Sequence, residues 1–240
     1  MKKQMGVLLM CCLFAFVADA QKFKIYKGDT INRTDNKGLK QGAWRKYYRT
    51  DTLCSESVFL NDKPINVSRT WYESGKIKAI VNFNKVNTKY AVGNSYYESG
   101  KLMARGNYIN QLKDSTWIYY GENDSVKSIE VYKNGVPDKL WKVYYENGNL
   151  AEETMHVNGK KDGLHKEYND DGALIFEMNY KNGLSDGYSK LYYRDGKLRT
   201  SGSYKNGLRE GVWIKYDKNG IKQLELLYKN GVSKDEVEPE

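Results

Sequence analysis

One spacing dominates this sequence, because tyrosines recur 24 residues apart along most of its length. The series consists of Tyr48, Tyr72, Tyr96, Tyr120, Tyr144, Tyr168, Tyr192 and Tyr216. Asn-Gly pairs recur at the same interval, with their asparagines at Asn134, Asn158, Asn182, Asn206 and Asn230. A fixed period of this length indicates serial units, each of them one supersecondary element that packs on its neighbours.

Each unit contains two short strands and two turns. In residues 188–211, aromatic and aliphatic side chains alternate with polar ones, which is the pattern of a strand. Asp195-Gly196 and Asn206-Gly207 supply the turns, because both pairs tolerate positive φ. Glycine interrupts every unit, which disfavours a helix. Since short turns make consecutive strands antiparallel neighbours, we predict an all-β fold. About eight 24-residue hairpin repeats would form one elongated, twisted meander sheet, in which the eight tyrosines spaced by 24 would stack as one ladder.

The sequence divides into four predicted regions. They are a signal peptide (1–20), an N-terminal lead-in (21–35), the repeat array (36–231) and an acidic flexible tail (232–240). The array is least regular at its start, where several turns lack the Asn-Gly pair.

An open meander leaves an edge strand at each end, where unpaired backbone groups invite a partner strand. Residues 44–48 and 222–228 are the predicted edges. The irregular first repeats and the acidic tail are the segments that could cover them.

The N-terminus has the features of a secretory signal. Lys2 and Lys3 form a basic start, residues 6–18 are uncharged and apolar, and Ala18-Asp19-Ala20 fits a small-x-small cleavage site. Cleavage near Ala20/Gln21 predicts an exported protein that is periplasmic, associated with the outer envelope, or secreted.

Cleavage at that point would change the cysteine content and the charge. Only Cys54 would remain, so the exported protein would have no intramolecular disulfide. The formal net charge of +9 would fall by one and stay positive. An excess of this sign keeps a surface solvated and also attracts anionic surfaces.

The last repeats carry a recognisable motif. Its parts are Gly196-Lys197-Leu198, Tyr204-Lys205-Asn206-Gly207, Gly211-Val212-Trp213 and Tyr216. In these residues the sequence resembles the MORN repeat, and it is most similar to the bacterial variant found in YwqK-like proteins.

The resemblance extends from about residue 36 to residue 231 and is strongest from Tyr132 onward. It implies serial β-hairpins in a single elongated sheet, no catalytic residues, and binding of proteins or anionic lipids. Some YwqK-like proteins are labelled antitoxins, a role that suits a cytosolic chain better than an exported one.

No set of residues typical of catalysis stands out. The sequence has no HExxH, CxxC or GxSxG motif. His156 and His165, the two histidines, fall on aromatic positions of the repeat and are interpreted as ladder residues. Gly-Lys pairs lie in hairpin turns and lack the strand–loop–helix setting of a phosphate-binding loop. We therefore expect no enzyme activity, no catalytic residue and no cofactor.

Acidic residues precede glycine at several turns, which raises the question of a metal site. These pairs are Asp162-Gly163, Asp186-Gly187 and Glu210-Gly211. Calcium requires about six to eight oxygen ligands converging on one ion. One carboxylate per turn does not supply them unless neighbouring turns stack closely, so we expect no metal.

The aromatic columns are the best candidates for binding. Their first interpretation is packing, because cross-strand aromatic pairs stabilise a sheet. The alternative is an open aromatic platform that stacks on sugar rings or holds a peptide. The candidate residues of that surface are Trp117, Trp141, Trp213, Tyr144, Tyr168, Tyr192 and Tyr216. By strand alternation, Lys142, Lys166 and Lys190 fall on the face opposite the tryptophans, so the two sets do not form one site.

Together these features predict an exported, non-catalytic repeat scaffold that binds a protein or an envelope polymer through its sheet. One alternative is a cell-wall glycan-binding module that uses the aromatic columns. Another is an anionic-lipid binder that uses the positive charge. Export disfavours a nucleic-acid partner.

Overall fold

The computed structural model describes residues 21–234 of the 240-residue chain. These residues form 21 β-strands, and no helix occurs among them. In the same part of the chain, accordingly, no helix is long and apolar enough to cross a membrane. The predicted signal peptide and residues 235–240 of the predicted tail lie outside the described residues.

Three short strands precede the main series of strands. The short strands are β1 (Lys24–Tyr26), β2 (Asp29–Ile31) and β3 (Arg33–Thr34). The series consists of β4 (Lys40–Tyr47), β5 (Leu53–Leu60), β6 (Lys63–Trp71), β7 (Ile77–Phe83), β8 (Tyr90–Tyr96), β9 (Leu102–Ile109), β10 (Leu112–Tyr120), β11 (Val126–Lys133), β12 (Val136–Pro137), β13 (Lys139–Tyr144), β14 (Leu150–Val157), β15 (Lys160–Tyr168), β16 (Leu174–Lys181), β17 (Leu184–Tyr192), β18 (Leu198–Lys205), β19 (Leu208–Tyr216), β20 (Lys222–Lys229) and β21 (Val232–Ser233).

Strands that follow one another in the chain are neighbours in the sheet. From β3 to β21 they pair antiparallel, and at the short strand β12 the ladder passes from β11 directly to β13. Strands β1 and β2 form a separate hairpin. The predicted all-β hairpin meander is confirmed.

Two-residue turns close one end of most hairpins. In Asn206-Gly207 the φ angles are 49° and 84°, so both central residues are left-handed, as a type I′ turn requires. The irregular repeats use the same turn without glycine, since φ is 50° and 63° in Asn61-Asp62 and 51° and 66° in Asn110-Gln111. The loss of glycine in these repeats therefore changes the residues of the turn and keeps its shape.

In the structure, the eight tyrosines spaced by 24 lie in two columns instead of one ladder. Tyr96 and the five tyrosines that follow it at intervals of 24 each end a strand. Tyr48 and Tyr72 instead lie one residue beyond β4 and β6, where Tyr47 and Trp71 hold the strand-end position. The prediction that all eight form one ladder is therefore wrong. The reason is the loop between β7 and β8, which is long enough to shift the later repeats by one residue.

Tyrosines one residue beyond the strand end tie five of the turns to the next repeat. The hydroxyl of Tyr48 donates to the carbonyl oxygen of Trp71 at 2.8 Å, and that of Tyr72 donates to Tyr96 at 2.8 Å. Equivalent bonds at 2.7–2.8 Å start from Tyr97, Tyr145 and Tyr193. These tyrosines therefore stabilise the contact between adjacent repeats.

The two faces of the sheet differ in chemistry, because successive side chains of a strand point to opposite faces. We name the Trp face after Trp44, Trp117, Trp141 and Trp213, and the Tyr face after the strand-end column. Most of the buried side chains lie on the Trp face, including Trp117, Trp213, Met178, Ala104, Thr154, His165 and Ser189. This stripe of cross-strand contacts is the core.

The lead-in covers the first predicted edge. Strand β3 pairs with Lys40 and Gln41 of β4. Next to β3, the side chain of Asn32 makes the two hydrogen bonds that the backbone of a paired strand residue would make. The N–H of Arg45 donates to Asn32 Oδ1 at 2.8 Å, and Asn32 Nδ2 donates to the Arg45 carbonyl at 3.1 Å. The lead-in thus caps the predicted edge at 44–48 as far as Arg45.

The other predicted edge is covered over a shorter stretch. Strand β21 pairs with Tyr228 and Lys229 at the end of β20. The N–H of Lys234 then donates to the carbonyl of Leu227 at 2.8 Å. The described residues therefore cap the C-terminal end of the predicted edge at 222–228.

Candidate functional site

The structure divides the predicted binding residues between the two faces. Trp117, Trp141 and Trp213 lie on the Trp face, each three residues before the end of its strand. Tyr144, Tyr168, Tyr192 and Tyr216 end their strands on the Tyr face. The seven residues therefore do not form a single surface.

The tryptophan column packs against the sheet itself. Trp117 and Trp213 are only 4% and 7% exposed. Their indole N–H groups donate to the carbonyl oxygens of Asn107 at 3.0 Å and Ser203 at 3.1 Å, each ten residues earlier. Bulges interrupt the ladder at these points, so the indole satisfies a carbonyl beside a break in strand pairing. Indoles buried in this way are not free to stack on a sugar ring.

The third tryptophan of the column makes the same contact. The Trp141 indole donates to the carbonyl of Val131 at 2.7 Å. Its ring lies between those of Tyr132 and His156, with centroids 5.1 and 4.8 Å away. The indole of Trp44 similarly donates to the Arg33 carbonyl at 3.2 Å. Four repeats therefore use the same indole position.

The Tyr face holds rows of ionic and hydroxyl contacts. Glu177 accepts a hydrogen bond from Tyr192 at 2.7 Å and pairs with Lys190 at 3.2 Å. Glu153 accepts one from Tyr168 at 3.0 Å and lies 3.7 Å from Lys166. Burial first, and the adjacent carboxylate second, raise the pKa of Tyr168 and of Tyr192 to about 12. These tyrosines are therefore neutral packing residues near pH 7.

A set of cations that sequence reasoning missed lies on the Trp face. Lys113 Nζ is 4.8 Å from the Trp117 ring centre, and the Arg209 guanidinium is 4.4 Å from that of Trp213. Lys40 and Lys161 stand at the same place in their repeats, over aromatic rings at 4.8–5.3 Å. Each cation lies four residues before the tryptophan-column position of its own strand. This fixed spacing is the sequence signal from which the cations could have been predicted. Such contacts stabilise the face by cation–π attraction.

His165 replaces a tryptophan and brings a polar cluster with it. Its Nδ1 is 2.7 Å from the hydroxyl oxygen of Thr154, and its Nε2 is 3.0 Å from Glu167. The Thr154 hydroxyl also lies 2.7 Å from Glu152. A carboxylate, an imidazole and a hydroxyl in series have the geometry of a nucleophilic triad. Thr154 is only 2% exposed, so a substrate cannot reach its hydroxyl.

The acidic residues before glycine have a role in the turns. Asp162 accepts the backbone N–H of Asn182 at 2.9 Å, and Asp186 accepts that of Asn206 at 3.1 Å. Glu210 does the same for Asn230 at 2.8 Å. Within residues 21–234, no group of three or more His, Cys, Asp or Glu side chains could hold a metal ion. Each of these carboxylates instead caps the turn of the next repeat.

The tryptophan column is interrupted in two neighbouring N-terminal repeats. Counting back three residues from the strand ends at Trp71 and Tyr96 places Ser68 and Gly93 in this column. The neighbouring ring column continues without a gap through Phe59, Phe83 and Tyr108, on strands β5, β7 and β9. Two repeats therefore keep their flanking rings and lack the indole between them.

A groove follows from this interruption. A cavity of about 260 Å³ is lined by Ser57, Phe59, Pro64, Ser68, Val81, Phe83, Tyr108 and Gln111. A second cavity of about 360 Å³ shares Phe83 and Tyr108 with it, and a third of about 230 Å³ shares Pro64 and Gln111. A fourth of about 250 Å³ shares Ser57 and Phe59. We call the four together the N-terminal groove.

The sheet is concave where it forms this groove. Pro64 lies on β6 and Gln111 follows β9, three strand spacings away, which is about 14 Å in a flat sheet. Both line the same small cavity, so the sheet curves toward its Trp face here. Among the described residues, those lining the groove include Lys63 and Lys89 and no Asp or Glu. The groove therefore combines an aromatic floor with a positively charged rim.

Comparison with protein families identifies the repeat. The family described as MORN repeat variant matches six segments that together make up more than half of the chain. They are residues 66–85, 92–110, 137–158, 161–182, 185–206 and 209–230. A comparison with curated proteins finds none that matches.

Solved structures show only distant similarity. One is the Tc holotoxin pore of Photorhabdus luminescens carrying a TccC3 mutation, at 14% identity and a TM-score of 0.21. Another is TcdB2-TccC3-TEV, at 15% identity and a TM-score of 0.21. The alignments cover 85% and 83% of this chain and 13% of each of the other chains. This chain thus spans about an eighth of the length of those structures.

Proposed function

Because this chain belongs to the MORN repeat variant family, we propose that it is a non-catalytic repeat scaffold that binds a partner protein through the N-terminal groove. The observation that carries the proposal is the repeat with Ser68 in place of an indole, where Phe59 and Phe83 line an open cavity. In the repeats of Trp117 and Trp213, by contrast, the protein's own indole and an adjacent cation fill the equivalent position.

The chemistry of the groove supports a protein ligand more than a glycan. Its floor is apolar, and its ends carry lysines and amide side chains such as Asn110 and Gln111. Concave sites with an apolar floor and a few polar groups suit a peptide segment that buries one or two side chains. Of the indoles predicted to stack on sugar rings, Trp117 and Trp213 are buried.

We also propose that the protein is exported and meets its partner outside the cytoplasm. The support is the signal-like start of the sequence, with Lys2 and Lys3, the apolar residues 6–18 and Ala18-Asp19-Ala20. The motif in residues 196–216 further leads us to place it with the YwqK-like variant, in an exported form. Cell fractionation with N-terminal sequencing tests export. A mature chain beginning at Gln21 outside the cytoplasm is expected, and an intact N-terminus in the cytosol would reject the idea.

The absence of catalysis is part of the proposal. It is supported by the buried position of Thr154 and by the packing roles of His156 and His165. Assays of the purified protein against esters, peptides and glycans should show no turnover. Turnover that disappears with one point mutation would contradict it.

Crosslinking in the native cell, followed by mass spectrometry, tests the scaffold function. We expect the wild-type chain to capture a specific protein, and Phe83→Ala, which removes a wall of the groove, to lose it. Tyr188→Ala is the matched control, because Tyr188 is an exposed aromatic residue on the Tyr face. Circular dichroism must show that both variants are folded. Equal capture by the two variants would place the partner elsewhere, and retention on anionic vesicles instead would favour the lipid alternative.

A further inference from the structure

Ser68 stands where other repeats hold an indole. The strand registers of two repeats coincide when Ser68 is placed on Trp213 and Val58 on Ser203, because both hairpins contain a bulge at the same point. In the complete repeat, the Trp213 indole donates to the Ser203 carbonyl at 3.1 Å. The equivalent carbonyl beside Ser68 therefore belongs to Val58.

The walls of this position are also those of an indole site. Around Trp213, the rings of Tyr204 and Tyr228 lie 5.1 and 6.3 Å away, centre to centre. Phe59 and Phe83 occupy the same two places beside Ser68, and both line the 260 Å³ cavity. That volume suits a single aromatic side chain, since sites for drug-sized ligands begin at about 300 Å³.

The other interrupted position is closed by its neighbours. A Cβ atom at Gly93 would lie 2.5 Å from the Tyr108 ring and 3.5 Å from the Trp117 ring. These two side chains therefore lean over the strand and take up the space. Ser189, a third residue of the column without a ring, is only 5% exposed. Ser68 thus marks the position in this column that lacks its indole and opens into the groove.

Positively charged residues at both ends of this cavity indicate which class of ligand it can bind. Lys63 and Lys89 line the adjoining cavity on one side, and Lys40, Arg45 and Lys46 line the one on the other side. Arg45 is already paired with Asp29 and Glu56, at 2.7 and 3.0 Å. Beside the four lysines, no described acidic side chain lines any of the four cavities. Such an arrangement favours a segment with negative charge on either side of the buried group.

We propose that the cavity at Ser68 binds an aromatic side chain, best an indole, from a partner segment whose flanking residues are acidic. The inserted ring would lie between Phe59 and Phe83, and its N–H would face the Val58 carbonyl, as Trp213 faces Ser203. This inference rests on the proposed function and adds the chemistry of the partner.

A labelled peptide tests the inference on the full mature chain. The probe is the fluorescein-tagged sequence Glu-Asp-Trp-Asp-Glu, followed by fluorescence anisotropy. Two control peptides replace the tryptophan by alanine or the four acidic residues by lysine. We expect each control peptide to bind at least about tenfold more weakly than the probe, the cost of about 1.4 kcal/mol in binding free energy. Equal binding of the tryptophan and alanine peptides would overturn the proposal.

Filling the cavity with a side chain of the protein itself tests whether the probe binds there. Ser68→Trp places the chain's own indole in the cavity, so binding of the probe should fall at least about tenfold. Tyr188→Ala, a change on the Tyr face outside the groove, is the control and should bind as the wild type does. If Ser68→Trp does not fold, Phe83→Ala should show the same loss. Wild-type affinity in a folded Ser68→Trp, or in Phe83→Ala, would refute the proposal.

The outcome is distinguishable from failure of the proposed function. If the probe does not bind but capture of the cellular partner still requires Phe83, the groove is the docking site and the aromatic ligand is rejected. If capture is independent of Phe83 as well, the proposed function falls with it.

Discussion

Glycine opposite an indole decides how closely the Trp face can pack. A Cβ atom at Gly202 would lie 2.2 Å from the Trp213 ring, and one at Gly106 would lie 2.3 Å from the Trp117 ring. Neither glycine is needed for a left-handed turn. Each leaves room for a ring that lies flat on the neighbouring strand.

The Gly202→Ala variant should therefore be destabilised by overpacking. The added methyl group must displace a buried indole that is also held by a hydrogen bond, at a cost of about 1–3 kcal/mol in the free energy of unfolding. Urea denaturation measures it. Ser203→Ala, an exposed neighbour on the other face, is the control and should unfold within about 0.5 kcal/mol of the wild type. A Gly202→Ala protein as stable as this control would show that the indole moves freely.

His156 gives the protein a predictable response to acid. Burial in the aromatic column lowers the pKa of His156, and no partner is present for its buried Nδ1 in the described structure. The unfolded chain then binds a proton at a higher pH than the folded chain. Stability should therefore fall as the pH drops from the ordinary histidine pKa, near 6.5, toward the lower folded value.

The variant His156→Tyr tests this linkage, because tyrosine is the common residue of that column. We expect the loss of unfolding free energy between pH 7.5 and pH 5.5 to be smaller in His156→Tyr than in the wild type. Denaturant titrations at the two pH values give both differences. Identical losses would mean that carboxylates account for the whole pH dependence.

At the scale of elements, the two ends of the array are finished differently. The first strand of the series is protected by β3 and by the side chain of Asn32, which pairs with both backbone groups of Arg45. The Asp29 carboxylate adds an ion pair with Arg45 at 2.7 Å. The last long strand, β20, has the two-residue strand β21 beside it. At the N-terminal edge, the side chain of Asn32 thus makes hydrogen bonds that a neighbouring strand would otherwise make.

Asn32→Gly should open the first edge without unfolding the array. Asn32 has a φ of 55°, which glycine adopts without strain, so the variant removes the side-chain pairing alone. We expect the amide of Arg45 to exchange with deuterium at least about tenfold faster. The amide of Ile80, in the interior strand β7, is the internal control and should be unchanged. Unaltered protection of Arg45 would show that the lead-in holds the edge by other contacts.

At the scale of the molecule, the chain is a linear array in which each repeat contacts its two neighbours. Stability in such an array is close to a sum of nearest-neighbour terms, so end repeats lack one of them. Thr154 and Leu226 occupy equivalent positions three periods apart. Thr154 pairs with strands on both sides, whereas Leu226 pairs with β19.

This difference predicts a gradient of protection along the array. After correction for intrinsic rates, the amide of Leu226 should exchange at least about tenfold faster than that of Thr154. Hydrogen exchange followed by mass spectrometry or nuclear magnetic resonance resolves the two. Equal protection at both sites would indicate that the array unfolds as a single cooperative unit.

Local features of the fold were predictable from the sequence. Hairpin turns at Asn206-Gly207 and Asp195-Gly196 depend on the φ angles that those residues accept, and strand alternation depends on the neighbouring positions. Both are properties of short segments, and so the all-β meander follows from the period of 24. The sequence indicated that the lead-in could cover the first edge, but not which residues would do so. Asn32 lies in the lead-in, outside the repeats, so the period of 24 does not specify its pairing with Arg45.

The tertiary structure decided which residues share a surface. The spacing of 24 placed Tyr48 and Tyr72 in the column of Tyr216, yet the longer loop after Phe83 moves them to a different position. Hydrogen bonding between strands sets the register and the curvature of the sheet. The cavity at Ser68 depends on both. The sequence by itself therefore determined the repeat and its hairpins, because their causes lie within one unit. The groove depends on how several units fit together.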